Sequence, residues 1–245
     1  MERIGVGKGA CIIFSIIVIA VIFVGPWKVN LRFLGIDRSE GGQHQVTVFI
    51  DDGLSESDGV EVITLNSGGS PGEHFDILWR RYSANVGEPE DVFVIDVVGE
   101  NKIANPEDIA RAINLAIEKK AKIINISLST INSDVYLEQA VERAVDEGII
   151  IVSSTASGLE KIPSYPASLP GVIGVYPKAS NNKNYWFSNT YGADLGVVVE
   201  PEGGSSLAAV LVTAKINQCV DNEFRTERQV IQGLLACRAG VAVSQ

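Results

Sequence analysis

The chain has 245 residues, 46% of them hydrophobic and 20% charged, a globular composition long enough for one α/β domain with a short appendage. Its formal net charge of -10, from 30 acidic and 20 basic residues, argues against the basic face that a nucleic-acid-binding surface needs. Cys11, Cys219 and Cys237, with His44 and His74, have no spacing that suggests a zinc site, so neither metal nor cofactor is expected. Cys219 and Cys237 stay open to two readings, a disulfide in an oxidising compartment or two separate buried thiols.

Residues 10–24 read ACIIFSIIVIAVIFV, uncharged and apolar on every face, between Arg3 and Lys8 on one side and Gly25, Pro26, Trp27 and Lys28 on the other. A membrane-crossing helix needs roughly 17–25 such residues, a length reached when residues 10–27 are counted with their interfacial end. No small-residue cleavage site follows Val24, which favours an uncleaved single-pass anchor over residues 1–28 above a signal segment. A spacer over residues 29–43 would follow. Basic residues flank both ends of the run, so charge alone leaves its orientation open.

From residue 44 to 240 the pattern alternates strand and helix, with a tail over 241–245. The apolar run at 46–50 is a strand ending in the turn Asp51-Asp52-Gly53, and 60–65 is a second strand. Residues 73–82 predict a helix, 92–98 a buried strand, and 106–119 an amphipathic helix with Asn105 as N-cap and Pro106 at its first position. Strands follow at 123–128, 149–153 and 172–176, with a helix at 135–147 ended by Gly148. A helix starts near Ser206, and a last one covers 226–237. Continuous apolar strands separated by helices imply a mostly parallel sheet with helices on both faces, and functional groups at the strands' carboxyl ends.

Five segments, taken in order, carry a family resemblance. Val48-Phe49-Ile50-Asp51-Asp52-Gly53-Leu54 resembles the subtilase strand and turn that hold a catalytic aspartate. Ile123-Ile124-Asn125-Ile126-Ser127-Leu128 is similar to the family's V-I-N-x-S-L strand. Residues 148–152 and 165–175 resemble its G-V-V-V-V and Y-P-A-x-x-P-x-V-I-x-V elements, and Phe187-Ser188-Asn189 its F-S-N element. Gly204-Ser205-Ser206-Leu207-Ala208-Ala209 resembles G-T-S-x-A-A, the turn that presents the nucleophilic serine. The resemblance implies a subtilisin-like three-layer α/β fold, preceded by one N-terminal transmembrane helix, and the serine peptidase chemistry of the family.

By that resemblance Asp51 would orient the base and Ser206 would be the nucleophile at a helix N-terminus, where the dipole and free N–H groups favour developing negative charge. Taken alone, Asp51 is a turn aspartate and Ser206 an N-cap that Ser205 could replace. A phosphatase-like D-x-D-G reading fails because Asp51 and Asp52 are adjacent. For the base, the family's H-G-T-H motif aligns with Pro71-Gly72-Glu73-His74, which puts Pro71 at the catalytic position. A shifted register makes His74 itself the base, with Phe75 in place of the glycine. The oxyanion asparagine is replaced by Ser157, and the proline four residues after the serine by Val210. Loss of one oxyanion donor typically costs about 10²–10³ in rate.

Two functional readings result. The expectation is a membrane-anchored pseudoenzyme with its domain outside the cytoplasm. Its peptide or protein ligand would lie along the edge formed by Ser127, Leu128 and Ser129. The alternative is an active serine endopeptidase using Asp51, His74 and Ser206.

Overall fold

The computed structural model describes residues 45–55, 59–66, 72–87, 91–99, 104–156, 162–178, 193–199, 204–219 and 223–237. The expected anchor and spacer, Pro71, Ser157, residues 187–189 and the tail lie outside the described residues. Among the described residues no helix is long and apolar enough to cross a membrane.

Seven strands form one sheet: β1 (Thr47–Asp51), β2 (Glu61–Thr64), β3 (Val92–Asp96), β4 (Ile123–Ile126), β5 (Ile150–Ser154), β6 (Val172–Lys178) and β7 (Leu195–Val198). Their spatial order is β2-β3-β1-β4-β5-β6-β7, and every pairing is parallel. The described residues include five helices: α1 (Glu73–Val86), α2 (Pro106–Glu118) and α3 (Val135–Asp146), which connect strands, and α4 (Gly204–Cys219) and α5 (Glu227–Ala236), which follow β7. The three-layer expectation is met. Strand β7 is an addition to the strands expected from the sequence.

Burial on both faces explains the unbroken apolar strands. In β1 all five residues are buried. Val48 and Ile50 pack with α2 and α3, while Phe49 packs with α1, α4 and α5, the period-two alternation of a strand sorting side chains into two cores. Phe49 is the centre of an aromatic group, 5.1 Å from the Phe75 ring and 4.8 Å from the Tyr82 ring. Burying one such ring contributes roughly 1.5–3 kcal/mol. Helix α4 is apolar on nearly every side and runs against the sheet between its neighbours, as a central rather than a surface helix.

The first described strand, β1, lies inside the sheet. From β1 the chain moves to β2 and β3 on one side, then crosses to β4 on the other, so β1 and β4 meet at the topological switch point. Ligands of open α/β sheets bind outside the carboxyl ends of such strands. Ile50 lies opposite Ile126, which makes Asp51 and Ser127 the next residues along on adjacent strands.

At the other end of α4, Cys219 is joined to Cys237 by a disulfide, which decides between the two readings of these cysteines. Helix α5 begins with a capping box in which Thr226 and Gln229 satisfy each other's backbone amides.

Candidate active site

Asp51 ends β1 and is fully buried. Its Oδ1 lies 2.8 Å from Nδ1 of His74, the second residue of α1, whose side chain is 46% exposed. Burial pushes the Asp51 carboxyl up to about 6, an effect that the bond to His74 partly offsets. His74 is also raised above its ordinary value, chiefly by that same bond to Asp51 and against the opposing effect of burial. With Nδ1 engaged by the carboxylate, Nε2 is the ring nitrogen available to accept a proton.

The start of α1 is fixed from outside the helix. Its cap residue Gly72 offers no side chain, and φ there is +75°. A Cβ at this position would lie 2.8 Å from Ser55 N and 2.9 Å from Leu54, so the helix start presses on the turn after β1. The Asp52 carboxylate takes the first-turn amides, Oδ1 accepting from Phe75 N at 2.9 Å and Oδ2 from His74 N at 3.2 Å. Asp76 answers from the helix side, accepting from both the amide and the hydroxyl of Ser55.

Ser206 stands in the first turn of α4, half-buried, and its hydroxyl donates to the carbonyl of Ser127 at 2.9 Å. The Ser127 hydroxyl donates to Asn125 Oδ1 at 2.7 Å, and Asn125 Nδ2 donates to Thr213 Oγ1 at 2.9 Å. Helix α4 is therefore fastened to β4 at two levels, by Ser206 and by Thr213. Beyond Ser127, Leu128 is half-buried and Ser129 exposed, and Thr130 exchanges backbone hydrogen bonds with Tyr165. The next wall is tied in by Ala156 N, which donates to Ser164 Oγ at 2.7 Å.

The structure thus brings Asp51 and His74 into contact and sets Ser206 against Ser127, all at the carboxyl edge of β1 and β4. The imidazole beside the Asp51 carboxylate is that of His74, while Pro71 lies outside the described residues. Phe75 fits where the family has glycine because its ring fills the space over Phe49. Sequence reasoning missed Asp52 and Asp76; the doubled aspartate was the available signal for the first.

Asp51, Asp52 and His74 also form, among the described residues, a group whose ligand-type atoms converge within 4.8 Å. Asp51 Oδ1 already accepts from His74 and from Asp52 N, and both Asp52 oxygens hold α1 amides. The other Asp51 oxygen, Oδ2, is buried and accepts no hydrogen bond.

Residues 82–228, more than half of the chain, match the model of the subtilase family of S8 peptidases. The chain belongs to the subtilase family. The subtilase is 30% identical over 112 residues to the thermostable alkaline protease of Halalkalibacterium halodurans, covering 46% of this chain and 31% of that protein. It is 27% identical over 113 residues to subtilisin Savinase of Lederbergia lenta, covering 46% of this chain and 42% of the relative. The matched stretch therefore spans less than half the length of these relatives. Among solved structures, the prenylagaramide maturation protease PagA has a TM-score of 0.58 at 22% identity, covering 72% of this chain and 75% of that one. The patellamide maturation protease PatA has a TM-score of 0.53 at 21% identity, covering 71% and 78%. These two likenesses concern the fold. The family match starts inside α1, so Asp51 and His74 lie outside it and rest on their own geometry.

Proposed function

We propose that this subtilase is a serine endopeptidase in which Asp51 orients His74, His74 takes the proton of Ser206, and Ser206 Oγ attacks a peptide carbonyl to form an acyl-enzyme. The observation that carries this reading is the 2.8 Å bond between His74 Nδ1 and Asp51 Oδ1, at the end of the strand that pairs with the one leading to Ser127, the partner of Ser206. A carboxylate on Nδ1 holds the tautomer whose Nε2 is a base and stabilises the imidazolium that forms. A peptide pairing with the edge at Ser127, Leu128 and Ser129 would offer its own N–H to the Ser127 carbonyl, releasing the Ser206 hydroxyl to turn to His74. The attacking oxygen then sits at the N-terminus of α4, where the free amides and helix dipole favour the oxyanion.

A second reading, a peptide-binding pseudoenzyme, draws on the Ser206 hydroxyl itself, whose one proton is committed to Ser127. In either case we place the domain on the oxidising side of a membrane and anchored through residues 10–27. The Cys219–Cys237 disulfide supports the compartment and the apolar run in the sequence supports the anchor.

Labelling by a fluorophosphonate probe separates the two. The peptidase reading expects labelling of the wild type that disappears with Ser206→Ala and falls steeply with His74→Ala. A folded wild type that takes no label between pH 5 and 9 would leave the binding reading.

A further inference from the structure

Resting on the peptidase reading, we infer that Asp52 is the positioning residue of the site, holding the base through the main chain of α1 while Asp51 holds it through the ring. Its carboxylate spends one oxygen on each of two successive amides, His74 N and Phe75 N, which fixes both the distance and the rotation of the helix start. Its own amide donates at 2.8 Å to Asp51 Oδ1, the oxygen that also meets His74 Nδ1. The bonds close into a ring that runs from Asp51 Oδ1 to the imidazole, along the His74 main chain to the Asp52 carboxylate, and back through the Asp52 amide.

The ring answers a specific deficit. Four N–H groups at the start of any helix lack an internal partner, and here the cap position is a glycine. The acceptor comes from the turn after β1, so that the helix carrying the base is registered against the strand carrying its partner. Asp52 is only 8% exposed, and the bonds between Ser55 and Asp76 hold the same two segments together from the outside.

Loss of a simple cap would lower stability, and loss of its charge would lower the His74 titration; loss of positioning also slows labelling at the pH optimum. The charges around that ring are Asp51 and Asp52 on the β1 turn, Glu73 and Asp76 on α1, and Asp96 at the end of β3 opposite Asp51. Helix α4 brings Ser206 and no charged group in its first turn. The negative charge of Asp52 acts on His74 in the same direction as that of Asp51, favouring the protonated ring.

The test uses the full chain with isotope-labelled histidine. The sequence has two histidines, so a His44→Gln variant assigns the His74 signal. The imidazole titration and the fluorophosphonate labelling rate are measured for the wild type, Asp52→Asn and Asp52→Ser, with Asp108→Asn on α2 as the control for net charge. Asp52→Asn is expected to lower the His74 pKa, because one of the negative charges that favour the protonated ring is gone. It is also expected to slow labelling by on the order of tenfold at the pH optimum. Asp52→Ser, which keeps a neutral acceptor for one amide, should show the same direction. An unchanged His74 titration in folded Asp52→Asn and Asp52→Ser overturns the inference. A wild type that never labels while the titration still shifts overturns the peptidase reading and leaves Asp52 as the residue that sets the ring.

Discussion

The hydroxyl of Ser206 donates to the carbonyl of Ser127 at 2.9 Å, so the nucleophile candidate and the first residue beyond β4 share one hydrogen bond across two elements. That bond makes Ser127 both a rest position for the hydroxyl and part of the edge to which a peptide would pair. In the proposed reaction the Ser206 hydroxyl leaves this carbonyl for His74, and a ligand's N–H on the same carbonyl favours that change.

The protonation state of His74 gives the first prediction. The Asp51 bond raises the imidazole above its ordinary value of 6.5, and a protonated ring cannot act as the base. The labelling rate is therefore expected to rise with pH and to reach half its maximum above pH 6.5 in the wild type. In Asp51→Asn the largest cause of the raised value is gone, so the midpoint should move down while the rate falls. A wild-type midpoint at or below 6.5 contradicts the pairing.

The same pair predicts how stability depends on pH. The Asp51 carboxyl is held at about 6 in the folded chain against an ordinary 3.8, so the folded state keeps its proton where the unfolded state has lost it. Its contribution is fully present below about pH 3.8 and is lost as pH rises through about 6. His74, raised from 6.5, contributes in the same sense, with stability present below 6.5 and lost as pH rises through its folded value. The melting temperature of the wild type relative to Asp51→Asn should therefore fall between pH 4 and 8. The change should correspond to at most on the order of 3 kcal/mol for the carboxyl. A difference that grows with pH would reverse the sign and refute the account.

The fastening of α4 to β4 predicts a stability loss without a direct chemical role. Asn125 is fully buried and accepts from Ser127 while donating to Thr213. Asn125→Leu leaves the Ser127 and Thr213 hydroxyls with one partner fewer in a buried setting, at a cost of about 1–3 kcal/mol for each group left unsatisfied. Chemical denaturation should show that loss, with the midpoint reduced and the slope unchanged.

Phe75 and Gly72 predict opposite lessons about the helix start. Phe75→Gly would empty the space over Phe49, at a cost of about 3–5 kcal/mol. Gly72→Ala places a Cβ against the Ser55 amide at a positive φ and should lower both stability and labelling rate. Unaltered labelling in Gly72→Ala would show that α1 can shift without moving the base.

The parallel sheet was legible in the sequence because its strands are short, β-branched and bounded by turns, and the helices because their apolar residues recur at helical spacing. Asp51 and Ser206 were found through the motifs around them. His74 was harder, since Pro71 and Phe75 depart from the pattern around it and only the Asp51 carboxylate at 2.8 Å marks its ring. Phe75 is acceptable because Phe49 leaves room for it, a relation between positions 26 residues apart. Asp52 was passed over for a related reason: an acidic neighbour in a turn has no reading until the helix whose amides it receives is placed. Strand β7 escaped because four residues of Leu195-Gly196-Val197-Val198 are too few to show alternation.

The position of β1 between β3 and β4 has a practical meaning for anyone dividing this chain. The stretch that matches the family runs from residue 82, inside α1, and so omits the strand on which the two sides of the sheet meet. A fragment cut at that boundary would expose the edges of β3 and β4 to one another across an empty strand-width, an invitation to aggregation rather than to folding. Expression should begin no later than the residues leading into Thr47, because β1 is the strand that joins β3 to β4.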